Sequence, residues 1–583
     1  MIIGRYLAIL PRDAGDARYW RARLAAAAGH TARLEPTVDC DDLIVLTTSV
    51  PLSLHNESGV ILGHLIAAGD DAPRTRLDNA EASAIAAEGA DKLFRDYWGP
   101  YVALLRHAPG DIRVLRAPLG ELPALLWQSS RGVLAASDIE LLTSIGGYAP
   151  SIDWTGVAEH LVAADLRRPR TCLADVTELN GGCEARWSGG RWHIGVKWTP
   201  WRAVPPRFPS LEAREAGERL GNVIRTAVRA RMTGIARAVL LLSGGLDSSL
   251  VAATLKLTGH NVDALNLVTR DTGGDERRYA DAVAQALRIE LTTVIRDPLW
   301  VDITRSLAQG LPRPIERSFA QATHAAACEL AERIGAQAVL HGGGGDNIFC
   351  SLQSVAPVAD RLLAHGPDPG FWKTAGAIAA LAEASLFEVV AKAGLRALQR
   401  RRPFRFVGDA SFLTAGAIAI GAAAREHPWF VRPSGSLPGS AAHIGLIASA
   451  QSVVESTDPR RAIPWIAPLL AQPIVEACVA IPSWNWYANG CNRAVARHAV
   501  ARQLPDAIAW RRSKGAMDSF IVEIFEQNRA SLSEWLVDGE LASRGIIDRA
   551  AVKAELADRG PTRGTAYARL MQLADVEAWA RSW

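Results

Sequence analysis

Between Leu211 and about residue 340 the sequence switches repeatedly between two periodicities, and this restricts the fold more than any other feature. A helix-like "LEAREAGERLGNVIRTAVRARM" is followed by a strand-like "ARAVLLLS" and a helix from Asp247. Then come strand-like "VDALNLVT", helix-like "DERRYADAVAQALR" and strand-like "ELTTVIR". Strands alternating with helices of about ten or more residues imply βαβ units and a parallel, doubly wound sheet. A further strand, "QAVLHG" from Gln337, belongs to the same sheet. Beyond about Val355 the chain reads almost wholly helical, with an Ala-rich segment from Thr374 to Ala397 and no repeat at solenoid periods.

The first 200 or so residues read differently. Short alternating runs such as "DDLIVLTTSV" and "GPYVALLRHAPGDIRVLRAP", punctuated by Gly, Pro and Asp, read as half-buried strands joined by turns. In "WTPWRAVPPRFP", from Trp198, proline falls where neither a helix nor a central strand tolerates it. The expectation is an α/β chain of two domains, a β-rich one over 1–205 and a parallel-sheet one with a large helical part over 206–583. A length of 583 residues gives each a core of its own.

With 64 basic and 61 acidic residues, the net charge of +3 argues against a dedicated DNA binder or a polybasic membrane anchor. Any charge-driven partner has to meet a local patch, and "RALQRRRPFR", Arg396 to Arg405, is the candidate; most such runs are solvated faces. Seven scattered cysteines with no CxxC pair read as reduced thiols rather than a disulfide framework or zinc site. The N-terminus carries Arg5 inside its short apolar run and no small-residue cleavage site, so no secretory signal is expected. "SFLTAGAIAIGAAA" falls well short of the roughly 20 residues that span a bilayer. A soluble cytoplasmic protein is the expectation.

Chemistry concentrates in "VLLLSGGLDSSLVAATL", from Val239. Ser243, Gly244, Gly245, Asp247, Ser248 and Ser249 stand where a buried strand gives way to a helix. Free backbone N–H groups and the helix dipole favour an anion there, the glycines allow close approach, and the hydroxyls add donors. No lysine follows the glycines, so this is not the loop of the γ-phosphate-cleaving NTPases. A second passage, "VLHGGGGDNIF", again puts glycines and an aspartate directly after a strand of the same sheet.

"SGGLDSS" resembles the pyrophosphate-binding loop of the PP-loop ATP pyrophosphatases, and "VLHGGGGDNIF" resembles the glycine loop that faces it in the asparagine synthetase group. The resemblance implies ATP and Mg²⁺ as cofactors, with Asp247 and Asp346 as metal ligands. Hard carboxylate oxygens suit a hard cation bridging phosphates. It further implies that Gly342, Gly343, Gly344 and Gly345 offer amides to pyrophosphate and that adenine lies near Leu241, Leu242 and Val268. Asp275 and Glu276 match an acidic pair of the family, although a helix N-terminus attracts acidic residues in any case. In "LPDAIAWRRSKGAMDSF" the matching segment places a catalytic lysine on Lys514, which would neutralise charge on an acyl-adenylate.

Residues 1–205, with "FRDYWGPYVALLR" and "LAASDIELL", resemble the N-terminal nucleophile (Ntn) amidohydrolase half of class B asparagine synthetases. Members that hydrolyse glutamine begin with a nucleophilic cysteine; here Ile2 and Ile3 follow Met1, which implies an inactive glutaminase. The amine would then come from the substrate itself or from another molecule. "HPWF" at His427, "AAHIGLIASAQS" at Ala441, "PLLAQPIVEACVAIP" at Pro468 and Asn347 resemble lasso peptide cyclases. The glutamate of the β-lactam synthetase base pair falls on Pro464. The resemblance thus implies macrolactam formation in a ribosomal precursor peptide, with a leader peptidase and a leader-binding protein as partners. A β-lactam synthetase-like or other small-molecule amide synthetase, and a non-catalytic scaffold that binds precursor peptide and ATP, are the alternatives.

Overall fold

The computed structural model describes all residues except 1–3, 28–33, 56–57, 189–190, 210, 272–274, 456, 513–517, 559, 561 and 563. The readings made on Ile2, Ile3 and Lys514 lie outside the described residues.

The alternating region builds a five-stranded parallel sheet in the order Leu291–Ile295, Asn261–Val268, Arg237–Leu241, Ala338–Leu340, Trp465–Ile466. Its three central strands are mostly buried on both faces, which explains their nearly continuous apolar runs, whereas edge strand Leu291–Ile295 is half-exposed. On one face Val239, Leu265 and Val339 join Ala327, Leu330 and Ala331 of helix Ala320–Ile334. On the other, Leu240 and Ala264 belong to a core shared with Val251, Leu255 and Val283. Helix Arg277–Leu287 buries Ala280, Val283, Ala284 and Leu287, the i, i+3, i+4, i+7 stripe of an amphipathic helix. One strand departs from the sequence reading. Trp465–Ile466 lies in the region read as helical, and two residues are too few to carry a period.

Two six-stranded antiparallel sheets fill the N-terminal region. Side chains alternate along each strand. Tyr6, Ala8 and Leu10 therefore join Val60, Leu62, Val102 and Leu104 between the sheets. Leu7 and Ile9 point the other way, into a cluster with Trp20, Leu142 and Leu161. Beyond the second sheet, Ile61, Ala103 and Leu105 join Ile85, Leu93 and Phe94 from helices Asn79–Glu88 and Ala90–Asp96. Helix, sheet, sheet and helix thus form four layers.

The two regions do not have separate cores. The cluster that holds Leu7 and Ile9 also holds Phe525, Leu570 and Trp579 from helices Asp518–Val537 and Ala566–Arg581. A buried ionic network crosses the 205/206 boundary as well. Arg116 donates to Glu178 (2.8 Å) and Arg167 donates to both of its oxygens (2.6 and 2.8 Å). Arg313, from beyond the boundary, closes on the same carboxylate. Glu455 lies 3.5 Å from Arg116 and accepts from the Gly181 N–H at 3.2 Å. Glu178 sits well below the usual carboxylate range: its three arginines outweigh the desolvation that would raise it. Glu455 is pushed up instead, because burial outweighs its arginines. Among the described residues no single helix is long and apolar enough to cross a membrane.

Candidate functional site

Both glycine loops leave the carboxyl ends of neighbouring strands, Arg237–Leu241 and Ala338–Leu340, where open α/β sheets bind ligands. Between them lies a cavity of about 670 Å³. Leu241, Leu242, Ser243, Gly245, Asp247, Ser248, Gly342 to Gly345 and Asp346 all line it.

Helix Leu246–Leu257 begins at Gly245 with no side-chain cap, so its first N–H groups are left for a ligand. The Ser243 and Ser248 hydroxyls lie 3.2 Å apart beside it. The loops touch so closely that glycine is required. A Cβ on Gly345 would lie 2.4 Å from Asp247 Cγ, and one on Gly342 would lie 2.7 Å from the Ser248 nitrogen. Gly244 has φ +70, and a Cβ there would lie 2.5–2.6 Å from Tyr279 and Ala280, so glycine seats the first loop on the next helix.

The remaining site residues of the sequence reading are placed differently. Ser249 and Val268 are fully buried and do not line the cavity. Asp275 is held by Arg277 at the start of its own helix, which lowers its pKa. Glu276 accepts from Arg511 at 2.6 Å. Asn347 donates to the Leu446 carbonyl at 2.8 Å. Pro464 accepts from the Val339 N–H at 3.0 Å, at the edge of the parallel sheet. His427 is buried against Gln451, and burial lowers its pKa to about 4.

Sequence reasoning missed the cations. Arg493 Nη1 donates to both oxygens of Asp247 (3.1 Å each) and to Asp346. Its φ of +53 lies in the left-handed region, just ahead of helix Ala494–Val500. Arg511 lies 3.5 Å over the Tyr279 ring, and Arg512 and Arg497 complete the wall. "NRAVAR" looks like any helix start, and only tertiary packing carries it to the loops. Asp247 and Asp346, converging on one cation with backbone amides around them, fit a divalent metal. Mg²⁺ takes one or two carboxylates and completes its shell with phosphates and water. Among the described residues no cluster of three or more His, Cys, Asp or Glu offers an all-protein metal site.

The fold and site define a nucleotide-binding α/β protein of the pyrophosphate-gripping kind. Residues 219–410 and 458–581, more than half of the chain, match the family described as asparagine synthase, and the protein belongs to that family. Membership supports ATP-dependent amidation or ligation as the reaction class and implies ATP with Mg²⁺. No curated protein matches the chain. Among solved structures, NMN synthetase from Francisella tularensis is 16% identical with a TM-score of 0.19. That match covers 24% of this chain and spans only 59% of the synthetase. Glutamine phosphoribosylpyrophosphate amidotransferase from B. subtilis, complexed with ADP and GMP, is 11% identical over 58% of this chain and 90% of that one, with a TM-score of 0.20. The allosteric regulatory enzyme of purine biosynthesis is 9% identical over 58% and 83%, with a TM-score of 0.20.

Proposed function

We propose that the protein closes a macrolactam in a ribosomal precursor peptide, joining the core peptide's N-terminal amine to an Asp or Glu side chain, as in lasso peptide biosynthesis. The observation that carries the chemistry is the pair of glycine loops meeting at Asp247 and Asp346 with no lysine in the first. A carboxylate acylates poorly because its leaving group would be oxide. One of its oxygens attacks the α-phosphorus of ATP, the bond to the bridging oxygen breaks, and pyrophosphate leaves. The amine then attacks the acyl-adenylate carbon, a C–N bond forms, AMP departs and the amine gives up a proton. Mg²⁺ held by Asp247 and Asp346 would neutralise charge on the departing pyrophosphate. The loop amides and Arg493 grip the phosphates, and the enclosing helical region holds the reacting atoms together and excludes water. Lys514 would steady charge on the acyl-adenylate.

The peptide reading rests on the passages at His427, Ala441 and Pro468 and on the residue at 347. The β-lactam alternative is less favoured because Pro464 stands at the base position. A leader peptidase and a leader-binding protein would prepare the substrate. The test is a synthetic leaderless precursor incubated with Mg-ATP. Loss of one water by mass, with a product resistant to carboxypeptidase, supports the reading. Adenylation of free amino acids but of no peptide would favour a small-molecule synthetase, and peptide binding without turnover would favour a scaffold.

A further inference from the structure

Arg296 follows edge strand Leu291–Ile295, where its backbone N–H donates to the Val268 carbonyl at 2.9 Å. Its side chain lines two cavities at once, the one between the loops and a second of about 460 Å³. Leu241, Thr323 and His341 are also common to both, so the two spaces adjoin. Among the described residues the Arg296 guanidinium has no hydrogen-bond or ion-pair partner; the Phe520 ring is centred 5.8 Å away. Burial lowers its pKa to about 10, with no carboxylate near enough to oppose the shift. A desolvated cation without a partner is costly, and an incoming anion would remove that cost.

Several other charges of the second chamber are engaged or suppressed. Arg461 pairs with Glu316 (2.8 Å) and Asp458 with Arg460 (2.8 Å). Burial raises the pKa of Asp575 to about 6, and nearby Arg317 partly opposes that shift. His324, stacked on Trp465 at 4.1 Å, and His160 are held neutral by burial, with pKa values near 3. The chamber therefore offers a largely aromatic and apolar wall with the Arg296 guanidinium at its junction with the nucleotide cavity; Asp165 and Arg317 also line it. ATP phosphates are served elsewhere. The loops follow strands Arg237–Leu241 and Ala338–Leu340, whereas Arg296 follows the strand two places from Arg237–Leu241 on the opposite side. At the usual strand spacing that is about 10 Å away.

We propose that the second chamber holds the acyl substrate and that Arg296 binds its carboxylate, an inference that rests on the ATP-dependent ligation proposed above. The ligand class is a carboxylate on a partly apolar chain, such as a glutamyl or aspartyl side chain. His160, Ala164 and Asp165 line the chamber from the N-terminal region, which makes that region part of the substrate site.

The test is binding to the full chain, followed by saturation-transfer NMR, with N-acetyl-L-glutamate and its amide N-acetyl-L-glutamine as probes and α,β-methylene-ATP as the nucleotide. Wild type should bind the acid at least ~10-fold more tightly than the amide, since a charge-assisted hydrogen bond is lost with the amide. Arg296→Met should abolish that preference while changing nucleotide affinity less than ~3-fold. Arg296→Lys, the milder substitution if the methionine variant is poorly folded, should keep the preference at reduced affinity. Weakened nucleotide binding with unchanged preference would assign Arg296 to phosphate and overturn the proposal. So would equal binding of acid and amide by wild type, or no binding of either. Because the readout is binding, failure of ligation leaves this result readable by itself.

Discussion

The carboxylates of Asp247 and Asp346, carried on loops from two neighbouring strands, converge on a single nitrogen, Arg493 Nη1. Two like charges in one place need a cation between them. Arg493 supplies it here, and Mg²⁺ with ATP would take over that role when the phosphates enter.

Asp247→Asn and Asp346→Asn should each lower turnover by about a thousandfold or more through loss of a metal ligand. Arg493→Met should raise KM for ATP at least ~10-fold, because a charge-assisted contact to phosphate is lost. Pyrophosphate exchange into ATP checks all three. Near-wild-type exchange in either aspartate variant would remove that residue from metal binding.

Gly345→Ala tests the contact between the loops. The added Cβ would lie 2.4 Å from Asp247 Cγ, so the carboxylate has to move. A misplacement of about 1 Å costs on the order of a hundredfold in rate. Turnover should fall accordingly, with the circular dichroism spectrum unchanged.

Much of this candidate site is legible in the sequence. "SGGLDSS" and "HGGGGD" announce themselves because a phosphate loop needs glycine and hydroxyl residues at a strand end, and that requirement is local. The parallel sheet was legible for the same reason, through alternating periods. Arg493, Arg511 and Arg296 were not, since nothing in their neighbouring residues says which cavity a guanidinium will reach. Nor was Trp465–Ile466, whose strand state depends on pairing with Ala338–Leu340. The network on Glu178 was equally hidden, because it assembles arginines from both sides of the expected boundary.

That network predicts strong coupling of the two regions. Glu178→Gln would leave Arg116, Arg167 and Arg313 without their shared counterion, and breaking a buried pair in this way costs about 3–5 kcal/mol. The depressed pKa of Glu178 gives stability that is present above its unfolded value near 4.3 and is lost as pH falls towards the folded value. Urea denaturation at neutral pH should show the loss in the variant as one cooperative transition, and wild type should approach the variant as the solution is acidified.

Asp360 has the opposite sign. It is buried, accepts from the Gly439 N–H and the Ser483 hydroxyl (2.7 Å each), and burial raises its pKa to about 7. The folded state then holds a proton that the unfolded chain has released, so this group's contribution is full below about pH 4 and is lost as pH rises to about 7. At ~1.4 kcal/mol per pH unit the loss is of the order of 4 kcal/mol. Asp360→Asn should flatten that part of the stability profile in denaturant titrations between pH 4 and 7.

The central claim is that a carboxylate is activated by transfer of AMP, and the fate of its oxygen tests this most directly. A precursor peptide labelled with ¹⁸O in its acceptor carboxylate is incubated with Mg-ATP, and the nucleotide products are separated and weighed. The account predicts AMP carrying one ¹⁸O, with pyrophosphate unlabelled and the peptide lighter by one labelled water. Unlabelled AMP, or ADP with labelled phosphate, would contradict it.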